Sequence, residues 1–376
     1  MPSQHVLFIV NRYRPDVGGV ETHVENLAKN LVKLGNMATV VTLGEQNSEF
    51  MLDGVRVIAR KPLFRKGPQF AWPHPQLRAE LRSIFIGNEI TQVSVHTRFF
   101  PMSWLGRKVA KDLAIPSIHT EHGSNFVSGV DWFTGVVSRT VDFTLGRNHL
   151  RRVDKLLAIS DESANFVRRL SGRNSEVFYN AIDEQIFEID PTRQRKVDFV
   201  FLGRLVQGKG WDSYLEAIHQ ISQIERKGTI TASVIGDGPQ RALLLEKIQN
   251  FGLEDIVTWR GQLQPSQVAE DLNSSHVFVN PTTLSEGFQT TLIEALSMGC
   301  YVVTSQVPGA AQLSKESARI SILNENFTAS DLSKEMLKAL ESSLSESLHE
   351  RPFDVAPWSW AQRSMEFLKI SSRAVQ

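Results

Sequence analysis

HVFVNPTTLSEGFQTTLIEALSMGCYVVT, residues 276–304, reads as strand, loop, helix, strand. His276 to Val279 and Tyr301 to Thr304 are apolar runs of strand length. Between them, a polar loop leads into a short apolar helix that stops at Gly299. Strands joined in this way lie parallel, in a sheet covered on both faces by helices. The helix N-terminus at about Gln289 to Thr291 has free backbone N–H groups and the positive end of the helix dipole, which suit an anion. Glu286 precedes it and Glu294 follows, eight residues on. Such a pair can hold hydroxyls on both sides of a phosphate-linked ligand, a sugar on one side and a ribose on the other. In isolation, the pair also reads as one loop and one surface glutamate.

The alternation extends in both directions. Asp198 to Leu202, Thr231 to Ile235 and Val257 to Trp259 are strand-like, each followed by a helical segment. In the first half, Val6 to Val10 is a continuous apolar run, as in a strand buried on both faces. A loop with Gly18 and Gly19 follows, then a helix from about Val20 to Leu34. Ala38 to Leu43, Val55 to Ala59, Thr91 to Val95, Ser117 to His119 and Lys155 to Ile159 read as further strands, with a helix around Pro75 to Ile86. The rhythm breaks at residues 180–196, NAIDEQIFEIDPTRQRK, a polar and charged stretch. A chain of 376 residues suits two cores. The expectation is an α/β protein with two doubly wound parallel-sheet domains facing across a cleft. The tail PWSWAQRSMEFLKI, residues 357–370, is an amphipathic helix with Trp358, Trp360, Met365 and Phe367 available for burial.

Hydrophobic content of 41% and charged content of 22% are those of an ordinary globular protein. The net charge is zero, but residues 1–178 hold 23 Lys+Arg against 16 Asp+Glu, leaving 18 and 25 for the rest. A half at +7 beside a half at −7 steers an anionic acceptor or membrane surface to the first half, or holds the halves together. The single cysteine, Cys300, reads as a small core residue, and Cys and His show no zinc-ligand spacing. No apolar run approaches the ~20 residues of a membrane span. MPSQHVLFIVN has no basic leader region, so a cytoplasmic location is expected.

Five further segments carry candidate chemistry. PDVGGVETHVENLAKNL (15–31) opens a helix behind Gly18 and Gly19, where a ligand can approach the backbone, or is a flexible turn. HTEHGS (119–124) follows a strand, where loops line the ligand crevice of an α/β sheet, and His122 is its candidate. His119 is assigned to the strand. FLGRLVQGKGWDSYLEAI (201–218) places Arg204 and Lys209 in a glycine-containing loop, a clamp for a pyrophosphate or two solvated cations. VIGDGPQR (234–241) has Gly236 and Gly238, but Arg241 stands at the third glycine of a dinucleotide fingerprint, which argues against nicotinamide redox chemistry. TWRGQL (258–263) brings in Gly261, and its Trp259 and Arg260 are equally readable as structural.

In this order, and with E-G-F-x-x-x-x-x-E, E-A-L-x-x-G and V-V-T in the opening block, the chain resembles the retaining glycosyltransferases of family 4 over nearly its whole length. The resemblance implies the GT-B architecture: a Rossmann-like acceptor domain at 1–180, a donor domain at 181–356, and a helix at 357–376 crossing back to the first. It implies transfer of a hexose-type sugar, with retention, from a nucleotide diphosphate sugar to a glycan or lipid-linked acceptor. Cell-surface polysaccharide or lipopolysaccharide synthesis is the expected setting. Carried over residue by residue, Glu286 holds the donor hexose and Glu294 the ribose. Gly287, Phe288, Gln289, Thr290 and Thr291 form the donor loop, and Gly18 and Gly19 face the diphosphate and acceptor. His122 lies near the transferred sugar. Arg204 and Lys209 neutralise the leaving diphosphate, Gly236 and Asp237 lie near the donor, and the turn at Gly261 helps form the nucleobase pocket. Gln289 departs from the glycine many members carry after E-G-F, which bears on which sugar hydroxyls are read.

No cofactor and no obligatory metal are expected, and no nucleic-acid partner. The alternatives are an epimerase or hydrolase of the same fold, or a non-catalytic nucleotide-sugar-binding subunit. Basic residues beside apolar ones suggest an anionic membrane surface as a possible partner: Arg147, Arg151 and Arg152 near Val136, Val137, Phe143 and Leu145, and Arg60, Lys61, Arg65 and Lys66 near Leu63 and Phe64. The chain would then lie on the cytoplasmic face.

Overall fold

Continuous apolar runs become central strands. Val6 to Ile9, and Phe199 to Phe201, are without solvent exposure on either face. The computed structural model describes residues 3–16, 18–66, 70–85, 89–127, 132–224, 230–284, 287–345 and 353–374. These fall into two units, 1–181 with 360–376, and 182–359.

The first unit begins with β1 (His5–Ile9), α1 (Gly19–Lys33), β2 (Met37–Leu43), β3 (Ser48–Leu52) and β4 (Val55–Arg60). A small hairpin, β5 (Phe64–Lys66) and β6 (Phe70–Trp72), precedes α2 (Leu77–Phe85), β7 (Gln92–His96), α3 (Pro101–Leu113) and β8 (Ser117–Glu121). α4 (Trp132–Val141) runs through a π turn, Asp142–Gly146, into α5 (Arg147–Arg152). β9 (Lys155–Ala158), α6 (Asp161–Ser171) and β10 (Glu176–Val177) follow. The strand order is β10-β9-β8-β7-β1-β2-β4-β3. All pairs are parallel except β3 with β4, an antiparallel edge absent from the sequence reading. Its residues Glu49, Phe50 and Met51 are all exposed, so no buried face marks it in the sequence. The chain moves from β1 to β2 on one side and later returns as β7 on the other, so the sheet reverses between β1 and β7.

One face of this sheet packs Phe8, Val40 and Val57 against Val24, Leu27 and Leu31 of α1. α13 (Trp360–Ala374), the last helix, packs beside them through Trp360, Phe367 and Ile370. The other face packs Leu7, Ile9 and Val95 against Leu81, Met102 and Val109.

The second unit contains β11 (Val197–Leu202), α7 (Trp211–Ile224), β12 (Ala232–Ile235), α8 (Arg241–Asn250), β13 (Val257–Gly261) and α9 (Pro265–Asn273). It continues with β14 (Ser275–Asn280), α10 (Thr290–Ser297), β15 (Tyr301–Thr304), α11 (Ala310–Glu316), β16 (Ile320–Ile322), α12 (Ala329–Ser345) and a 3-10 turn at Ala356–Trp358. The order β13-β12-β11-β14-β15-β16 reverses between β11 and β14, and every pair is parallel. Phe199, Phe201, Val277 and Val279 meet Trp211, Tyr214, Leu332 and Met336 in its core. Cys300 is fully buried, with Sγ 3.2 Å from the Leu272 carbonyl, a core residue in fact. Among the described residues, no helix is long and apolar enough to cross a membrane.

Candidate functional site

In parallel α/β sheets, ligands sit outside the carboxyl ends of the strands, where the strand order reverses. In the second unit that place is between β11 and β14, and four loops interlock there. The loop after β11 carries Arg204 and Lys209. Gly203 N donates to Ile235 O at 3.0 Å and Leu205 N to Asp237 O at 3.0 Å, which ties this loop to the β12 turn. Gly236 N donates to Gly261 O at 2.8 Å, bringing in the end of β13. Thr283 N donates to Gly208 O at 2.8 Å, bringing in the loop after β14. The approach is close enough to demand glycine. A Cβ at Gly236, where φ is +133, would stand 2.0 Å from the Gly203 carbonyl oxygen, and one at Gly210 2.4 Å from that of Pro281.

Sequence-distant candidates thus share one edge. Arg204 is exposed, whereas Lys209 is buried with its stem against Gly203, where a Cβ would lie 2.8 Å from Lys209 Cε. Trp259 donates from Nε1 to Gly236 O at 2.9 Å and receives the Arg241 guanidinium over its ring at 4.3 Å, so it braces the turn. Arg260 is taken up by Asp271.

α10 begins at Thr290, with Gln289 as its cap residue in an extended conformation. Thr290 and Thr291 are partly exposed at its first turn, and Gly287 precedes it. Phe288 is buried and stacks on Trp358 at 5.6 Å, which fixes the entry to the helix. Glu294, one turn in, is the most perturbed carboxyl here. Burial pushes it up from the usual carboxylate range to about 7, offset in part by a hydrogen bond from Thr290. Glu286 lies outside the described residues.

At the reversal point of the first unit, His96 closes β7, His122 follows β8, and His23 lies on α1. His96 Nδ1 and His122 Nε2 are 3.1 Å apart, and His96 Nε2 is 3.1 Å from Ser94 Oγ. His23 and His122 pack edge to face at 4.8 Å. His119 is in β8, buried and paired with His149 at 3.1 Å. Gly18 is the cap residue of α1 at φ −171, and a Cβ at Gly19 would meet nothing within 4 Å. Among the described residues, no packing requires glycine at 19.

Beneath these rings lies a buried charge cluster that the sequence reading missed. Arg98 forks onto Asp142 at 2.9 and 2.9 Å and reaches Glu121 at 3.0 Å. Its guanidinium carbon lies 4.4 Å over the Phe166 ring. Glu121 also accepts from Gly123 N at 2.9 Å. Burial by itself would raise its pKa, but the Arg98 charge and then the His119 hydrogen bond bring it down to about 2. The π turn starts at Asp142, whose buried carboxylate it aligns with Arg98. One signal was available: Glu121 is a charged residue at the end of a strand, next to His122.

The two basic–apolar segments differ. Arg60 is clamped by Glu49 and Glu80, and Arg65 donates to the Leu43 carbonyl. Around α4, by contrast, Trp132 (80% exposed), Val136, Val137, Phe143 and Leu145 all face solvent, with Arg139, Arg151 and Arg152 exposed nearby.

Residues 17–186 match the family described as Glycosyltransferase Family 4, and residues 196–342 match Glycosyl transferases group 1. The chain is similar to a phosphatidylinositol N-acetylglucosaminyltransferase subunit from Homo sapiens, 26% identical over 321 residues. That match covers 84% of this chain and 64% of the human protein, so the chain spans under two thirds of that relative's length. The Arabidopsis thaliana protein of the same description is 25% identical over 398 residues, covering 100% of this chain and 84% of that protein. Anabaena HepE in complex with UDP shares the fold at a TM-score of 0.75 and 18% identity, covering 98% of this chain and 100% of that one. The two matches together span most of the chain and the fold agrees, so the chain belongs to the family 4, group 1 glycosyltransferases of GT-B architecture.

Proposed function

We propose that the protein transfers a hexose-type sugar, with retention at the anomeric carbon, from a nucleotide diphosphate sugar to a lipid-linked or glycan acceptor. The observation that carries this reading is the second unit's reversal point. Glu294 stands there with a dehydrated carboxyl one turn inside α10, and the Arg204–Lys209 loop is tied to the loop leading into that helix. Ribose hydroxyls donate to Glu294. The diphosphate takes the helix N-terminus at Thr290 and Thr291 together with Arg204 and Lys209, which stabilise the charge that grows on it as the bond to the sugar breaks. Gly236, Asp237 and Gly261 form the floor beneath the nucleotide, and Gly287, Phe288 and Gln289 lead into the sugar subsite with Glu286. His122, with Gly18 and Gly19, serves the acceptor side. The leaving diphosphate accepts the acceptor's proton on the face where the new bond forms, so no protein nucleophile is required. A trapped sugar–enzyme adduct would overturn that route.

Because cations and backbone dipoles handle the diphosphate, the rate should survive excess chelator. Loss restored by magnesium would refute this. The relatives named for phosphatidylinositol support a lipid-borne acceptor. So does the apolar α4 face with its arginines, which suits the cytoplasmic surface of an anionic membrane. Co-sedimentation with anionic vesicles, weakened by salt and by Trp132→Ser, tests this.

The deciding experiment incubates the protein with UDP-, GDP- and ADP-sugars, with and without lipid-extract acceptors, and follows nucleotide release and product anomer by NMR. Acceptor-dependent release with retained configuration supports the proposal. Acceptor-independent release would give an epimerase or hydrolase, and binding without turnover a non-catalytic subunit.

A further inference from the structure

Three imidazoles converge where the first unit's sheet reverses. One ring nitrogen from each of His23, His96 and His122 lies within 4.8 Å of one from each of the others. They arrive from three elements: the end of β7, the residue after the neighbouring β8, and α1, which follows β1 on the other side of β7. His23 and His96 are buried, yet His23 Nε2 has no hydrogen-bond partner among the described residues.

The orphaned nitrogen has a definite state. His23 Nδ1 is 2.8 Å from Asn180 Oδ1, an oxygen that only accepts. The proton is therefore on Nδ1, and Nε2 presents a bare lone pair. His96 Nε2 lies 3.1 Å from Ser94 Oγ, and its Nδ1 shares a 3.1 Å hydrogen bond with His122 Nε2, whose proton is displaced when both nitrogens coordinate a cation. A ring fixed through one nitrogen by a neighbouring acceptor, with the other left to coordinate, is how proteins present imidazole to a metal.

We propose that His23, His96 and His122 form a binding site for a zinc-class divalent cation, with a fourth position open to water or ligand. Zinc–nitrogen bonds of about 2.0–2.1 Å at tetrahedral angles set ligating nitrogens about 3.3 Å apart. The His96–His122 pair, at 3.1 Å, already meets that spacing. The widest gap among the three, at most 4.8 Å, has to close by about 1.5 Å. Three neutral imidazoles select zinc, copper or nickel over magnesium or calcium. The three rings belong to the first unit and the Arg204–Lys209 loop to the second; His122 is shared with the proposed acceptor side, but zinc binding is read directly and does not depend on the transferase reading.

The test is calorimetric titration of the metal-stripped full chain with zinc chloride alone, beside cobalt(II) absorption. The expected result is saturable binding at one zinc per chain, a tetrahedral cobalt spectrum, and no response to magnesium. His122→Ala should weaken zinc at least about tenfold. Circular dichroism should show that the variant remains folded. His96→Asn should do the same; if this buried variant does not fold, His122→Ala decides. No saturable zinc binding, or unchanged affinity in folded His122→Ala, would overturn the proposal.

Discussion

Moving Glu294 from the ordinary value of 4.5 to about 7 has two measurable consequences. The gap corresponds to about 3 kcal/mol of lost hydration on the charged form. Because the folded value is the higher one, the native state binds the proton more tightly than the unfolded chain. Its contribution to stability is full below pH 4.5, declines from there to about 7, and is absent above. The second consequence concerns the donor. If ribose hydroxyls donate to this carboxyl, they favour the ionised form, because charge-assisted hydrogen bonds are the stronger ones. With the free protein's value near 7, roughly a tenth of the sites are ionised at pH 6 and roughly nine tenths at pH 8. Affinity should then rise about tenfold across that interval. The assay is isothermal titration with a UDP-sugar, whose esterified diphosphate does not titrate in this range, in two buffers of different ionisation enthalpy. Proton release on binding should be roughly nine tenths of a proton per site at pH 6, roughly half at pH 7 and roughly a tenth at pH 8. Glu294→Gln should bind weakly with a flat pH profile, and should be more stable than the parent at pH 8. An affinity that does not change between pH 6 and 8, or a slope that persists in Glu294→Gln, would refute the reasoning.

Arg98→Met should leave Glu121 and Asp142 buried without their cation and cost about 3–5 kcal/mol in urea denaturation at pH 7. Glu121 has a folded value below its unfolded one, so its contribution should hold above the usual 4.5 and fade as pH drops toward about 2, visible as an acid-side slope in stability that Glu121→Gln removes. Gly236→Ala should cost about 3 kcal/mol or more, because its Cβ meets backbone rather than a movable side chain, and nucleotide binding should fall with it in a thermal-shift assay. Gly19→Ala should leave the melting temperature level or raise stability by up to about 1 kcal/mol, since its Cβ meets open space at a helix start, while transfer activity drops if a ligand approaches there.

The strands that form the sheet interiors were legible because burial on both faces leaves unbroken apolar runs, as at Val6 to Ile9 and Val277 to Val279. The antiparallel edge β3 was not, because exposed Glu49, Phe50 and Met51 give no period to read. At the second unit's edge, Arg204, Gly236 and Thr290 each lie in a local motif, so sequence spacing sufficed to single them out. The histidine group was illegible for the opposite reason. His23, His96 and His122 stand on three elements, and only the pairing of β1 with β7 and β7 with β8 brings them together. Asp142 was hidden as well, since an aspartate within an amphipathic helix reads as solvated until the π turn carries it inward.

The two edges also explain why one candidate site is made of backbone and the other of side chains. A diphosphate is a concentrated, symmetric charge that peptide dipoles at close range meet best, and the close backbone crossings at Gly203, Gly236 and Gly210 suit the proposed donor site in that respect. A polyol acceptor offers neutral hydroxyls in a fixed pattern, and reading it requires directional groups that do not carry charge at neutral pH. Burial favours that state in His23, His96 and His122, and the charge of Glu121 opposes it only in part at His122. Neutral rings of this kind are also what a divalent cation binds. A polar site for sugar hydroxyls and a site for zinc are therefore built from the same three imidazoles, and only the occupant distinguishes them.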